Sequence, residues 1–216
     1  MTRNLFFCSV VLASLLCAPP ANAEHLYPRN ACRGIDGVEQ FRMQLITAVA
    51  NRDAELLRPL VDDNILLDFG GGSGWEEMLG RLDQDENSLW TDLDEVVRLG
   101  CAPDGDDRIS MPYYWTQSFD GLDPYGTYII TGDNVPFYTA RAGQETIRRL
   151  NWEAVELIAY FERTSEDAES QRVEIRARDG RRGFVDRNSL RALIDYRLLA
   201  VRKGDRWVIT VFVAGD

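Results

Sequence analysis

Apolar residues recur at Val38, Phe41, Leu45 and Val49, the spacing of one helix face, and predict a helix over 37–50. Asn51-Arg52-Asp53 breaks the stripe, and Asp53 is placed to cap a second helix carrying Leu56, Leu57, Leu60 and Val61. Ile65 to Phe69 is a short apolar run that predicts a strand, and two short helices follow near 75–82 and 88–99, the second from Leu89, Leu93, Val96 and Val97. "RISMPYYW", residues 108–115, predicts a second strand kinked at Pro112. Residues 116–127 are rich in Gly, Asp and Pro and form a long loop. Beyond it the period shortens to two: Val173, Ile175 and Ala177 alternate into Asp179-Gly180, a hairpin turn pair. Ile194–Arg202 and Arg206–Val213 flank Lys203-Gly204-Asp205 as a closing hairpin. Trp207 to Val213 is apolar on both faces, so this hairpin needs neighbouring strands and a helical cover.

Three features of the middle block resemble a bacterial SH3-like (SH3b) domain. Ile147, Leu150, Asn151-Trp152-Glu153, Val155 and Leu157 are similar to its central step; Val173 to Gly180 is similar to its hairpin; Gly183-Phe184-Val185 with Leu190 is similar to its ending. Asn134-Val135-Pro136-Phe137 departs from the family's opening, Glu153 stands where it has glycine, and Phe184 stands where it has tryptophan. The outer segments, with paired helices, a strand, helices and strands ending in "DRWVITVF", resemble the nuclear-transport-factor-2-like fold. Together these imply an α+β chain. Helices lie on a small mixed or antiparallel sheet built from 24–126 plus 193–216, and an inserted SH3-like β-barrel spans 127–192.

The start of the chain changes the compartment. Arg3, the apolar stretch Leu5–Leu16 and Ala21-Asn22-Ala23 have the pattern of a cleaved secretory signal over residues 1–23. No later segment is apolar for 18 residues, so no membrane insertion is expected after cleavage. The net charge of −11 becomes −12, because Arg3 leaves with the signal and no acid does. That balance argues against nucleic acid as a partner. Cys8 and Cys17 also leave, and Cys32 with Cys101 form an even pair expected to be bonded in an oxidising compartment, periplasmic or extracellular.

Candidate chemistry is sparse. "ILLDFGGGSGWEEML" resembles the first motif of S-adenosylmethionine-dependent methyltransferases, but no second parallel strand follows. Glu76 and Glu77 occupy the helix start where a phosphate would bind, so no cofactor is expected. His25 is the single histidine, which excludes Ser-His-Asp and Cys-His catalysis and histidine zinc clusters. Asp83 to Asp94 has calcium-like oxygen spacing, but Ser88 stands where the loop needs glycine, so no metal is assigned. Arginines at 172, 176, 178, 181, 182, 187 and 191 would partly share an outward strand face able to meet anions.

The resemblance implies a non-catalytic binding protein for a cell-wall peptide or glycan, or for another envelope protein. Its binding residues are expected at Tyr138, Trp152, Arg178, Arg181, Arg182 and Phe184. The alternative is a small carboxylate-dependent enzyme or ligand-binding protein, with a cone-shaped pocket near Asp68, Glu76, Tyr114 and Trp115. A structural role in envelope assembly stays open beside both.

Overall fold

The computed structural model describes residues 26–84, 89–119, 121–158 and 171–215. The signal-like segment 1–23, His25 and part of the calcium-like segment (85–88) lie outside these.

Among the described residues there are four α-helices and two sheets. The helices are α1 (Val38–Asn51), α2 (Ala54–Leu57), α3 (Trp75–Leu82) and α4 (Leu89–Arg98). The strands are β1 (Arg29–Asn30), β2 (Val61–Leu66), β3 (Gly100–Pro103), β4 (Arg108–Met111), β5 (Thr127–Ile130), β6 (Val135–Tyr138), β7 (Thr146–Leu150), β8 (Ala154–Leu157), β9 (Arg172–Arg176), β10 (Arg182–Asp186), β11 (Leu190–Ala192), β12 (Arg197–Lys203) and β13 (Arg206–Val213).

The local chemistry explains where the pattern held and where it slipped. Asp53 does cap α2, its Oδ1 accepting from the Glu55 and Leu56 amides at 2.9 and 3.0 Å. That helix stops after one turn because Pro59 falls in a 3-10 turn, and Val61 already begins β2. The strand expected over 108–115 ends at Met111; Tyr113–Thr116 coil into a 3-10 turn after Pro112.

The first sheet has the order β1-β3-β4-β12-β13-β2 and draws strands from both ends of the chain. It is mixed: β1 and β2 join as parallel edge strands, and the four between them are antiparallel. Both strands of the C-terminal hairpin are internal, β12 against β4 and β13 against β2. One face packs on the helices, where Phe41, Leu45, Met78 and Leu93 meet Ile109, Met111, Leu198 and Phe212 in the main core. The Cys32–Cys101 disulfide is present, with Cα atoms 5.7 Å apart. It ties the segment after β1 to β3.

The second sheet is wholly antiparallel, in the order β11-β5-β8-β9-β10-β6-β7, around Ile130, Phe137, Leu150, Ile175 and Val185. Its strand order is linear, with β11 and β7 as edges. The closed SH3-like barrel expected for this stretch is therefore not shown, and the coarser α+β description holds. A third cluster joins the sheets: Leu26, Leu99, Tyr114, Ile129, Ala154 and Leu193, with Phe119, Leu122 and Trp152 packed against it.

Candidate functional site

Beside that junction lies a cleft of about 600 Å³, within the range of small-ligand sites. The end of α4 supplies Glu95 and Arg98, the turns and β11 of the second sheet supply Thr131, Trp152, Asn188 and Arg191, and the link into β12 supplies Asp195.

Arg191 is the post of the cleft. It is buried, and an arginine is buried at tolerable cost only when its donors are used. Nε donates to the Tyr114 hydroxyl at 3.0 Å, Nη2 donates to the Tyr196 carbonyl at 2.7 Å, and Nη1 pairs with Glu95 and, at 3.2 Å, with Asp195. Two carboxylates, Glu95 and Asp195, thus share one guanidinium, and Asp92 lies within reach of its charge. Burial, then the charges of Asp195 and Glu95, push the Asp92 carboxyl up to about 6 against the pull of Arg191. Burial pushes the Tyr114 phenol up to about 12. Burial, followed by the Asp92 charge, also raises Tyr196.

Trp152 forms the aromatic wall. It is half-buried, and its backbone sits at φ 41°, the left-handed region that a bulky residue rarely occupies. The conformation is fixed from both sides: its N–H donates to the Gly132 carbonyl at 3.2 Å, and its own carbonyl accepts from the Leu26 amide at 2.6 Å. Tyr27 lies at 6.2 Å between ring centroids. The next residue, Glu153, is buried and accepts two bonds of 2.9 Å from Arg148. The left-handed position thus falls at Trp152, one residue before the place where the SH3b pattern has its glycine.

The other residues named from the sequence fall in separate places. Tyr138 and Phe184 face each other in register across β6 and β10. Tyr138 is buried under the Arg172 guanidinium, 3.3 Å above its ring, and Arg141 approaches Phe184 at 5.8 Å. Arg178 is exposed at the β9–β10 turn; Arg181 pairs with Asp179 at 2.7 Å and Arg182 with Glu174 at 3.3 Å. Arg176 is matched by Glu156 and Arg172 by Asp186. Four arginines of that face, at 172, 176, 181 and 182, are thus held in ion pairs, and Arg191 does not belong to it.

Asp68, Glu76, Tyr114 and Trp115 line neither this cleft nor the hollow beside α1. The glycine loop wraps its own acid: Asp68 Oδ1 accepts from the Gly70 and Gly72 amides at 2.8 and 2.9 Å, and Arg81 bridges Asp68 and Glu77. These bonds, led by Arg81, hold the Asp68 carboxyl below its ordinary range. Glu76 is exposed on α3. Trp115 stacks with the buried Arg197 at 4.2 Å, with Phe69 on the same guanidinium at 5.7 Å, while Tyr114 turns into the junction.

Glu95, Asp195 and the burial of Arg191 carried no signal in the sequence beyond Arg191 lying between Leu190 and Leu193. A second hollow of about 570 Å³ lies between α1, the α2 end and the β12–β13 turn, lined by Gln40, Met43, Leu56, Pro59 and Trp207. It has no buried polar anchor comparable to Arg191, so the cleft is the better candidate site. Among the described residues, no group of three or more His, Cys, Asp or Glu is arranged to hold a metal ion, and no helix is long and apolar enough to cross a membrane.

No protein-family model matches the chain. No curated protein matches it either. Among solved structures it is similar to an NTF2-like designed protein carrying five substitutions, at 11% identity over 82% of this chain and 96% of that chain, with a TM-score of 0.27. A likeness at that level carries no argument, and the SH3b resemblance gains no family match.

Proposed function

We propose that this is an exported, non-catalytic binding protein of the cell envelope that holds a peptide or glycan in the cleft between its two sheets. The observation that carries the reading is Trp152. Residues held in sparsely populated backbone regions cost roughly 1–3 kcal/mol and cluster at ligand sites. Here such a residue supplies an aromatic wall to a cleft that Thr131, Asn188, Glu95 and Asp195 also line. An apolar face beside a few fixed polar groups suits a sugar ring or a peptide stem. Export rests on the pattern of residues 1–23, and the Cys32–Cys101 bond agrees with it. The arginine face lends less support, because the guanidiniums of Arg172, Arg176, Arg181 and Arg182 are already matched.

A second reading is favoured by Asp92. A carboxyl raised to about 6 beside a cleft can keep a proton near neutrality and serve as a general acid. One experiment weighs both. The protein is co-sedimented with purified cell-wall sacculi, and the supernatant is analysed for released fragments. Retention that is lost in Trp152→Gly, without release of fragments, supports the binding protein. Release that is lost in Asp92→Asn moves the assignment to the enzyme. Absence of retention, with capture of an envelope protein instead, assigns an assembly role.

A further inference from the structure

The charges at the cleft are unevenly placed. Its cation lies inside: the Arg191 side chain is 6% exposed, and its donors are taken by Tyr114, Tyr196, Glu95 and Asp195. Its anions lie outside: the side chains of Glu95 and Asp195 are 54% and 37% exposed. Among the described residues Glu95 pairs through Oε2, so its Oε1 is open to a further donor. Arg98, the other guanidinium of the lining, is matched by Asp94, which accepts from Nε at 3.1 Å and meets Nη2 at 2.8 Å. Two carboxylates against one guanidinium leave the cleft with a surplus negative charge, and Asp92, one turn back along α4, adds to it whenever it is ionised. Asp92 itself registers the surplus: after burial, the charges of Asp195 and Glu95 are what raise its carboxyl.

The rest of the lining suits a cation with an apolar stem. An indole face attracts an ammonium group, and exposed carboxylates accept its N–H bonds. Pro28, Leu99 and Leu190 supply apolar surface on which methylene groups can lie. A carboxylate or phosphate would be repelled by the surplus charge, and a sugar hydroxyl would gain nothing from it. We infer that the cleft takes a primary alkylammonium group borne on a peptide, its methylene stem on the apolar lining and its charge shared by Trp152, Glu95 and Asp195. The inference rests on the cleft reading for the place and names the kind of ligand that the place selects.

Titration of the full chain with two probes that differ by one charge tests this. Nα-acetyl-lysine amide carries the ammonium, and its Nε-acetylated counterpart does not. The signal is the indole N–H resonance of Trp152, assigned by its loss in Trp152→Gly. The charged probe is expected to move it saturably and to bind at least about tenfold more tightly than the neutral one. Glucosamine, whose ammonium sits on a sugar ring, is expected to bind no better than the neutral probe. Equal affinity for the charged and neutral probes, no movement with the charged one, or tighter binding of glucosamine would overturn the inference. Glu95→Gln leaves Asp195 to neutralise Arg191 and is expected to weaken the charged probe several-fold and the neutral probe not at all; an equal effect on both would count against the role of its charge. On purified sacculi, acetylation of the free amines is expected to abolish retention. Retention that survives acetylation yet is lost in Trp152→Gly overturns the ammonium and leaves the cleft reading standing. Retention that survives Trp152→Gly is instead the failure of the cleft reading.

Discussion

The backbone at Trp152 makes a prediction that runs against the usual order of side chains. Consider Trp152→Ala and Trp152→Gly. Both remove a half-buried indole, a loss of about 2 kcal/mol if a large aromatic gives up roughly half its burial. They differ only at φ 41°. A residue with a Cβ in the left-handed region costs about 1–2 kcal/mol, and glycine escapes this. Glycine's freedom in the unfolded chain returns about 0.4–1 kcal/mol. Trp152→Gly should therefore be the more stable variant by about 1 kcal/mol, whereas in an ordinary strand or helix alanine wins by roughly 0.5–1 kcal/mol. Urea unfolding followed by circular dichroism resolves this: with an m value of about 2 kcal/mol/M, the glycine variant should unfold about 0.5 M later. The m values must agree for the comparison to hold. An alanine variant that unfolds at the same or a higher urea concentration would refute the strain at Trp152.

Three further outcomes are expected. Asp92 ionises near pH 6 in the folded chain against an ordinary 3.8, so the stability it contributes is complete below about pH 3.8 and is lost as pH rises through 6. Asp92→Asn should raise stability at pH 7 by on the order of 1 kcal/mol, after allowance for solvent screening, and flatten the melting temperature between about pH 4 and 6; an unchanged slope would refute the assignment. Calorimetry with S-adenosylmethionine or a dinucleotide should show no micromolar binding, because the Gly70 and Gly72 amides already donate to Asp68; binding that disappears in Gly72→Val would overturn this. A chain ending at Arg191 loses β12 and β13 from the interior of the first sheet and should melt without cooperativity in its helical signal, whereas a sharp helical transition would show that β2 and β4 do not depend on them.

Much of the fold was legible because burial leaves a period. The stripe at Val38, Phe41, Leu45 and Val49 names the buried face of α1, and the two apolar faces of β13 required partners on both sides. Asp53 was readable as a cap because a carboxylate before a helix has one economical use. The cleft was not legible. Arg191 reads as another charged residue in a basic stretch, and its burial depends on Glu95, Tyr114 and Tyr196, which only the folded chain brings together. Trp152 hides its strain because side-chain type does not disclose φ. The two-residue β1 has no period at all, and its place is fixed by Gly100 and the disulfide. The glycine loop looked like a cofactor motif because the spacing of glycines says nothing about which anion they enclose; here it is Asp68.

The interior position of β12 and β13 has a consequence in time. Synthesis runs from the first residue to the last, and β2 finds its only ladder partner in β13 among the described strands. At about 5–20 residues per second, roughly 7–30 s separate the emergence of the two. Throughout that interval the helix carrying Phe41 and Leu45 exists without the complete sheet that covers it, and the helix carrying Leu93 joins it in the same state. The second sheet waits less, since β6 with β7, β8 with β9 and β9 with β10 pair between neighbours and can close as they appear, and its earliest strand, β5, finds its last partner already in β11. The growing chain therefore completes its middle before its beginning, and its longest exposure to aggregation ends only when β13 appears.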